Sequence, residues 1–268
     1  MRIEKITSNQ NDKFKLLGHL HQKKWRDKTT LFIVEGKKEI KQALKNDYII
    51  ESIWFVESKQ QDVLDLEPLI GEKIYGFQIT EDMFSKIGYR EKTEGIIAVF
   101  QQKKLQVIKG GTNRINNTSL IIVADNIEKP GNIGALFRTA DGVGAAGLIL
   151  TNQIVDIYNP NIIRNSVGTF FSVPFFIMET KDAWDWLTEQ SYKIVIASPQ
   201  SQTMYYEADM RGNIAIILGN EHSGVSKSWE KRESLKIKIP MNGVNDSLNV
   251  SVSSGIISYE WFKQNQSS

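Results

Sequence analysis

Apolar and polar positions change period along the chain, and the clearest change lies over residues 120–150, LIIVADNIEKPGNIGALFRTADGVGAAGLIL. The apolar run at 120–124 is short and β-branched enough for a buried strand. A polar loop over 125–132 follows, broken by Pro130 and Gly131. Ile133, Leu136, Phe137, Ala140 and Val143 then recur at helical spacing, and a second apolar run at 148–150 closes the unit. Strand, loop, helix, strand is the βαβ pattern of a parallel sheet, whose ligands bind at the carboxyl ends of strands. The loop and first helical turns therefore hold the residues of interest: Asn126, Glu128, Asn132 and Arg138.

The same reading extends both ways. Ahead of it, residues 9–30 read as one helix with Phe14, Leu17 and Leu20 as its apolar stripe. Strands follow at 31–34, 53–56, 74–79 and 96–100, with helices after Gly36 and over 62–69 and 81–87. Residues 101–119, QQKKLQVIKGGTNRINNTS, are polar with paired glycines and read as a connection. This gives an α/β domain over 1–104, a linker over 105–118 and a second α/β domain over 119–268. Beyond 150 the alternation predicts strands at 173–178, 193–197, 214–218 and 237–240. Helices are predicted at 159–167, opened by Asn159-Pro160, and at 181–190, with Trp184 and Leu187 inward. A last helix spans 248–263 with Val252, Ile256, Tyr259 and Phe262 toward the core. Repeated βα units mean a mostly parallel sheet with helices on both faces.

Composition removes several classes of function. The 268 residues contain no cysteine and three histidines, so disulfides, thiolate catalysis and Cys-based zinc sites are excluded, and no metal is expected. No apolar run reaches the ~18 residues of a membrane helix, and the first residues are not a signal peptide, so a cytoplasmic protein is expected. The net charge of +2 is unevenly spread. Residues 1–46 hold 12 Lys+Arg against 5 Asp+Glu, or +7, leaving 21 against 26, or −5, for the rest. A basic front end of this kind suits a polyanion or is simply a solvated lysine face, and charge alone weighs the two equally. Lys13, Lys23, Lys24 and Arg26 are its candidate polyanion contacts, and RNA contacts if the polyanion is RNA.

Gly142, Gly144 and Gly147 spell G-x-G-x-x-G, but they end a helix and precede a strand, the reverse of a dinucleotide fingerprint. A glycine-closed helix end is the better reading, and a nicotinamide enzyme is disfavoured. Residues 218–226, LGNEHSGVS, and 239–251, IPMNGVNDSLNVS, each follow an apolar strand. Alone, either is ordinary turn chemistry. With the 126–138 loop they make three polar, glycine-bearing segments at strand ends, which is how a ligand cleft is built.

These three segments resemble the signature motifs of the SpoU/TrmH family of RNA ribose 2′-O-methyltransferases, in the SPOUT superfamily. The first runs from Asn126 through Asn132, Gly134 and Arg138 to Ala140. The second is Leu218-Gly219-Asn220-Glu221 with Gly224, and the third is Ile239-Pro240-Met241 with Ser247-Leu248-Asn249-Val250-Ser251. The first domain is similar to the family's small α/β substrate-binding extension at residues 8–11, 31–36 and 94–99. The resemblance implies a trefoil-knotted methyltransferase domain and a homodimer in which Arg138 of one subunit completes the other's site. It also implies S-adenosyl-L-methionine held by Leu218, Gly219, Ile239, Met241, Leu248 and Asn249. Arg138, Asn132, Glu221, Ser247 and Asn249 are the implied catalytic set. The implied substrate is structured RNA, with 23S-type rRNA ahead of tRNA; a catalytically inactive RNA-binding factor is the contrasting reading. Ser166 matches a further family element, or simply ends a helix before Gly168. His222 and Ser223 depart from the family pattern, as does Glu94, where relatives carry Gln; none removes a core functional group. Arg138 is expected either as the base for the 2′-hydroxyl or as a phosphate clamp, since a guanidinium holds its proton above a pKa of about 12.

Overall fold

The computed structural model of the chain describes residues 1–70, 74–88, 94–103, 118–152, 155–230 and 234–266. The linker expected over 105–118 lies, but for Thr118, outside the described residues. Two compact units form: Met1–Lys104 with Asp156–Ser172, and Leu105–Val155 with Val173–Ser268.

In the first unit, β1 (Arg2–Lys5), β2 (Leu31–Glu35), β3 (Ile50–Val56), β4 (Tyr75–Ile79) and β5 (Ile96–Gln101) form one sheet in the order β1-β4-β3-β5-β2. Pairing with β4 is parallel on both sides, whereas β5 runs antiparallel to β3 and β2. The strand β1 has no apolar alternation of its own, which is why periodicity did not predict it. The helix expected over 9–30 is two, α1 (Asp12–His19) and α2 (Lys23–Thr29). Asn11 caps α1 by accepting from the backbone N–H of Lys13 at 2.9 Å, and the chain leaves helical geometry at Gln22, with φ −98° and ψ 133°. Phe14, Leu17 and Leu20, on α1 and its C-cap ahead of the break, share one core with Trp54, Phe77, Met83 and Ile97.

The opposite face of this sheet is covered by α3 (Lys37–Lys45), and by α8 (Pro160–Ser166) and α9 (Thr169–Ser172), numbering helices along the chain after α4 (Gln60–Leu64), α5 (Glu67–Ile70), α6 (Glu81–Ser85) and α7 (Pro130–Gly142). Asn159 caps α8 as the Asn-Pro pair predicts, accepting from Asn161 N–H at 2.9 Å. The sequence pattern assigns this helix to the second domain; its packing lies in the first unit. The reason is aromatic: Phe32 meets Tyr158 at 4.7 Å between centroids, and Tyr48 meets Phe171 at 5.0 Å. Arg26 adds a buried ion pair. Its guanidinium, 2% exposed, donates from Nε and Nη2 to Asp156 at 2.8 and 2.6 Å and from Nη1 to the Leu20 carbonyl at 2.7 Å. Arg26 is thus a structural residue, and the expectation that it faces RNA is corrected.

The second unit is a wholly parallel six-stranded sheet of β6 (Leu120–Asp125), β7 (Gly147–Thr151), β8 (Phe175–Met178), β9 (Lys193–Ala197), β10 (Ile214–Leu218) and β11 (Leu235–Ile237), in the order β11-β9-β10-β6-β7-β8. Its central strands are buried throughout, and alternate side chains along each of them serve opposite faces. Ile121, Val123, Ile149, Ile194, Ile196 and Ile217 pack against Ala183 and Leu187 of α10 (Thr180–Glu189) and Trp229 of α11 (Lys227–Glu230), with Trp184 half-buried beside them. The other face carries α7 and α12 (Val250–Gln266), which pack on each other. The core side of α12 differs from expectation: Val250, Ser254, Ile257, Ser258 and Trp261 are buried, while Val252 and Tyr259 are about half exposed. Two serines on the buried stripe let α12 lie close to its neighbours, and they hid that stripe from a hydrophobic pattern. Gly144, at φ +64°, closes α7 after Gly142, and Gly147 opens β7, so the glycines mark a helix end and a strand start. Among the described residues no helix is long and apolar enough to cross a membrane.

Candidate functional site

The three segments singled out in the sequence converge within the second unit. Strands β9, β10 and β11 are neighbours, and a cavity of about 290 Å³ opens at their carboxyl ends. Leu218 and Gly219 come from the end of β10, Ile239 and Met241 follow β11, and Ser247 and Leu248 precede α12; all line the cavity. Its walls also include Ile196, Ser198 and Gln200 from the end of β9, and Asp246 and Ser253. The β9 contribution was missed in the sequence, although the strand-end rule applied to the run that ends at Ala197 would have pointed to it.

The loop over 219–226 is held tightly. Asn220 and Gly224 exchange backbone hydrogen bonds at 3.0 and 2.9 Å, and the Asn220 side chain accepts from the N–H groups of His222 and Ser223. A Cβ on Gly219 would lie 2.2 Å from the Gly224 carbonyl carbon and the Val225 nitrogen, so no other residue fits there without moving the loop.

Beside the cavity is a polar cluster. Asn132, in the first turn of α7, donates from Nδ2 to Glu221 Oε1 at 2.7 Å. Asn249 donates from Nδ2 to the same oxygen at 3.1 Å and to Asn132 Oδ1 at 3.2 Å. Lys129 forms an ion pair with Glu221 Oε2. The Lys129 ammonium, then the Asn132 amide, hold the Glu221 carboxyl below the usual range, so it stands ionised at neutral pH. Asn249 also caps α12, accepting from Ser251 N–H at 2.9 Å and Oγ at 2.6 Å, so its amide nitrogen serves the cluster and its amide oxygen the helix end. Lys129 was not picked out in the sequence because its partner lies 92 residues away and no local pattern marks the pair.

Arg138 is not in this cluster. It lies six residues beyond Asn132 on α7, about 120° round the helix. It is exposed and makes no hydrogen bond or ion pair among the described residues. Ser166 is also elsewhere, buried in the first unit with its Oγ donating to the Ile163 carbonyl at 2.7 Å. His222 is at the cavity rim. Of the basic front-end candidates other than Arg26, Lys13 lies 3.6 Å from Glu4 and 4.6 Å over the Phe77 ring, and Lys23 donates to Asp27 at 2.6 Å. Lys24 is exposed.

A parallel sheet with a cavity at adjacent strand ends, flanked by an ionised carboxylate in an amide cage, has the layout of an α/β group-transfer enzyme. The chain belongs to the SpoU rRNA methylase family: that family's model matches residues 119–259, and the model of an MRM3-like substrate-binding domain matches 11–98. The 23S rRNA (guanosine(2553)-2′-O)-methyltransferase RlmP of Bacillus subtilis (strain 168) is 28% identical over 257 residues, which is 96% of this chain and 98% of that protein. A solved RNA 2′-O ribose methyltransferase superposes with a TM-score of 0.86 at 32% identity over 98% of this chain and all of the other. An AdoMet-bound rRNA methyltransferase from Sinorhizobium meliloti gives 0.85 at 25% identity, over 97% and 98%.

Proposed function

We propose that this protein transfers a methyl group from S-adenosyl-L-methionine to a ribose 2′-hydroxyl of structured RNA, with 23S-type rRNA as substrate. The observation that carries the reading is the strand-end cavity set against the Asn132–Glu221–Asn249 cluster, in a chain of this family. The cavity suits the cofactor: Leu218, Ile237 and Leu248 offer apolar walls to a purine, and Ser198, Gln200, Asp246 and Ser247 offer polar groups to a ribose and a zwitterionic tail. Leu218, Gly219, Ile239, Met241, Leu248 and Asn249 would hold it. When bound, it supplies an electrophilic methyl on a positive sulfonium.

The chain's own residues then have separable tasks. Glu221, satisfied by three donors, is poorly placed to take a proton and instead fixes the Asn132 and Asn249 amides. Those amides, with Ser247, orient the ribose, and orientation supplies much of the barrier reduction. Arg138 keeps its proton, so its role is to clamp a substrate phosphate, whose oxygen takes the 2′-hydroxyl proton, and to stabilise the developing alkoxide as it takes the methyl and releases S-adenosylhomocysteine. Its exposure and its distance in angle from Asn132 favour a homodimer in which it serves the partner's site, the C-terminal unit being knotted as in the family. On the first unit the RNA phosphates meet Lys13, Lys23 and Lys24, joined by Lys38, Lys41 and Lys45, which lie at i, i+3 and i+7 on the exposed side of α3.

The test is transfer of labelled methyl to RNA lacking this modification, rRNA and tRNA counted apart and digested to nucleosides. The reading predicts a 2′-O-methyl nucleoside from rRNA. Label from tRNA would change the substrate, label on a base would sink the ribose assignment, and cofactor binding without label would favour an inactive RNA-binding factor.

A further inference from the structure

The carboxyl end of β6 carries an acid that the proposed chemistry leaves unused. Asp125 is 0% exposed. One carboxylate oxygen accepts from Thr151 Oγ1 at 2.7 Å and Asn152 Nδ2 at 3.0 Å; the other accepts from the backbone N–H of Ser226 at 2.7 Å. The next residue, Asn126, adopts φ +54°, and its carbonyl accepts from Asn220 Nδ2 at 3.1 Å. Asp125, which ends β6, and Asn126, which follows it, therefore hold the cavity loop at both of its ends, 220 and 226. Hydrogen bonds inside that loop set its shape; those from β6 set where the shape sits against the sheet.

Burying a carboxylate is costly unless donors surround it. The bonds to Thr151 and Asn152 satisfy one oxygen and join β6 to the end of β7, which leaves the second buried oxygen in need of a donor. The bond to Ser226 reaches instead into the segment that carries Gly219, Asn220 and Glu221. We infer that Asp125 is a positioning residue for the cavity, touching neither cofactor nor RNA, and that cofactor affinity depends on its tether to Ser226. The inference rests on the methyl-transfer reading.

Three variants separate the two parts of the network. Asp125→Asn retains an acceptor for Thr151 and Asn152 but sets an NH2 against the Ser226 N–H. Ser226→Pro removes that N–H from the loop side, which decides the matter if the new amide flips. Thr151→Val removes only a β7 bond. Binding of S-adenosylhomocysteine by calorimetry, with kcat and KM and amide exchange over 219–225, gives the readouts. Ser226→Pro, and Asp125→Asn where its exchange rises, should weaken binding by about tenfold or more, the scale of one hydrogen bond to a charged group. They should raise KM for the cofactor with kcat at saturation little changed, and exchange over 219–225 should rise even without cofactor. Thr151→Val should lower Tm and leave affinity unchanged. Wild-type affinity in both Asp125→Asn and Ser226→Pro, or an equal loss in Thr151→Val, overturns the assignment. A wild-type protein that binds no S-adenosylhomocysteine overturns the methyl-transfer reading, and this inference with it.

Discussion

The two units use charge in opposite ways. In the second unit the ionisable side chains of interest gather at one place: Lys129 and Glu221 are brought together with Asn132 and Asn249 from segments far apart in sequence. In the first unit the excess of positive charge over residues 1–46 is dispersed. Part of it is paired within the unit, in a buried pair for Arg26 with Asp156 and in surface pairs for Lys37 with Asp62 and Asp65, and part stands in solvent on α2 and α3. A net charge therefore says little about a surface until each cation's partner is known. A motif tied to strand ends says much more, because the sheet dictates where those ends meet.

The sharpest way to break this contrast is at the two arginines. Arg138→Ala should cost about 10²-fold or more in methyl transfer, the scale of a lost electrostatic stabiliser, while Tm and cofactor binding hold. Arg26→Ala should do the reverse. It strips the partner from Asp156 in a buried pair, and losses of about 3–5 kcal/mol are usual for that, so the midpoint of denaturant unfolding of the first unit should fall. Loss of activity without loss of stability in Arg26→Ala would return it to the RNA surface. Next in size is Gly219→Ala, where the added Cβ meets backbone at 2.2 Å. An overpacking cost of about 1–3 kcal/mol and a weakened cofactor titration are expected; wild-type affinity would mean that the loop gives way freely.

Much of the fold is legible in the amino-acid pattern alone. Strand runs such as 120–124 and 214–218 are apolar without alternation because both faces of the parallel sheet are covered, and Pro130, Pro160 and the glycines after α7 mark helix ends by their own stereochemistry. The cavity segments are legible as loops at strand ends. What stays hidden depends on partners distant in sequence. Tyr158, Phe170 and Phe171 belong with Phe32 and Tyr48 of the first unit, and no periodicity encodes that. Ser254 and Ser258 are buried although serine is not an apolar signal, and Arg26 reads as a surface cation until Asp156 is seen beside it.

The lysines of the first unit come next in size. Charge reversal at Lys24, Lys38, Lys41 and Lys45 together should weaken RNA binding and flatten its salt dependence by roughly one unit of slope per lost phosphate contact, with cofactor affinity unchanged. Reversal of Lys23 should do less, since Asp27 already shares its charge. An unchanged salt slope in the fourfold variant would make α3 a solvated face.

The smallest effect separates the units by pH. Burial lowers the pKa of His21 below its ordinary 6.5, so the folded first unit favours the neutral ring while the unfolded chain takes up a proton. That contribution is whole above 6.5 and declines as pH falls through and below it. Glu221 is depressed from 4.5 by Lys129 and Asn132, so its contribution is whole above 4.5 and is lost only in stronger acid. Tm followed from pH 7.5 downward should therefore decline first through the His21 window, and His21→Gln should flatten that first decline while Glu221→Gln leaves it intact. If Glu221→Gln flattened the decline near pH 6, the carboxylate would be titrating far above its ordinary range. The Lys129 and Asn132 contacts would then not be holding it ionised, and Glu221 would become a candidate base.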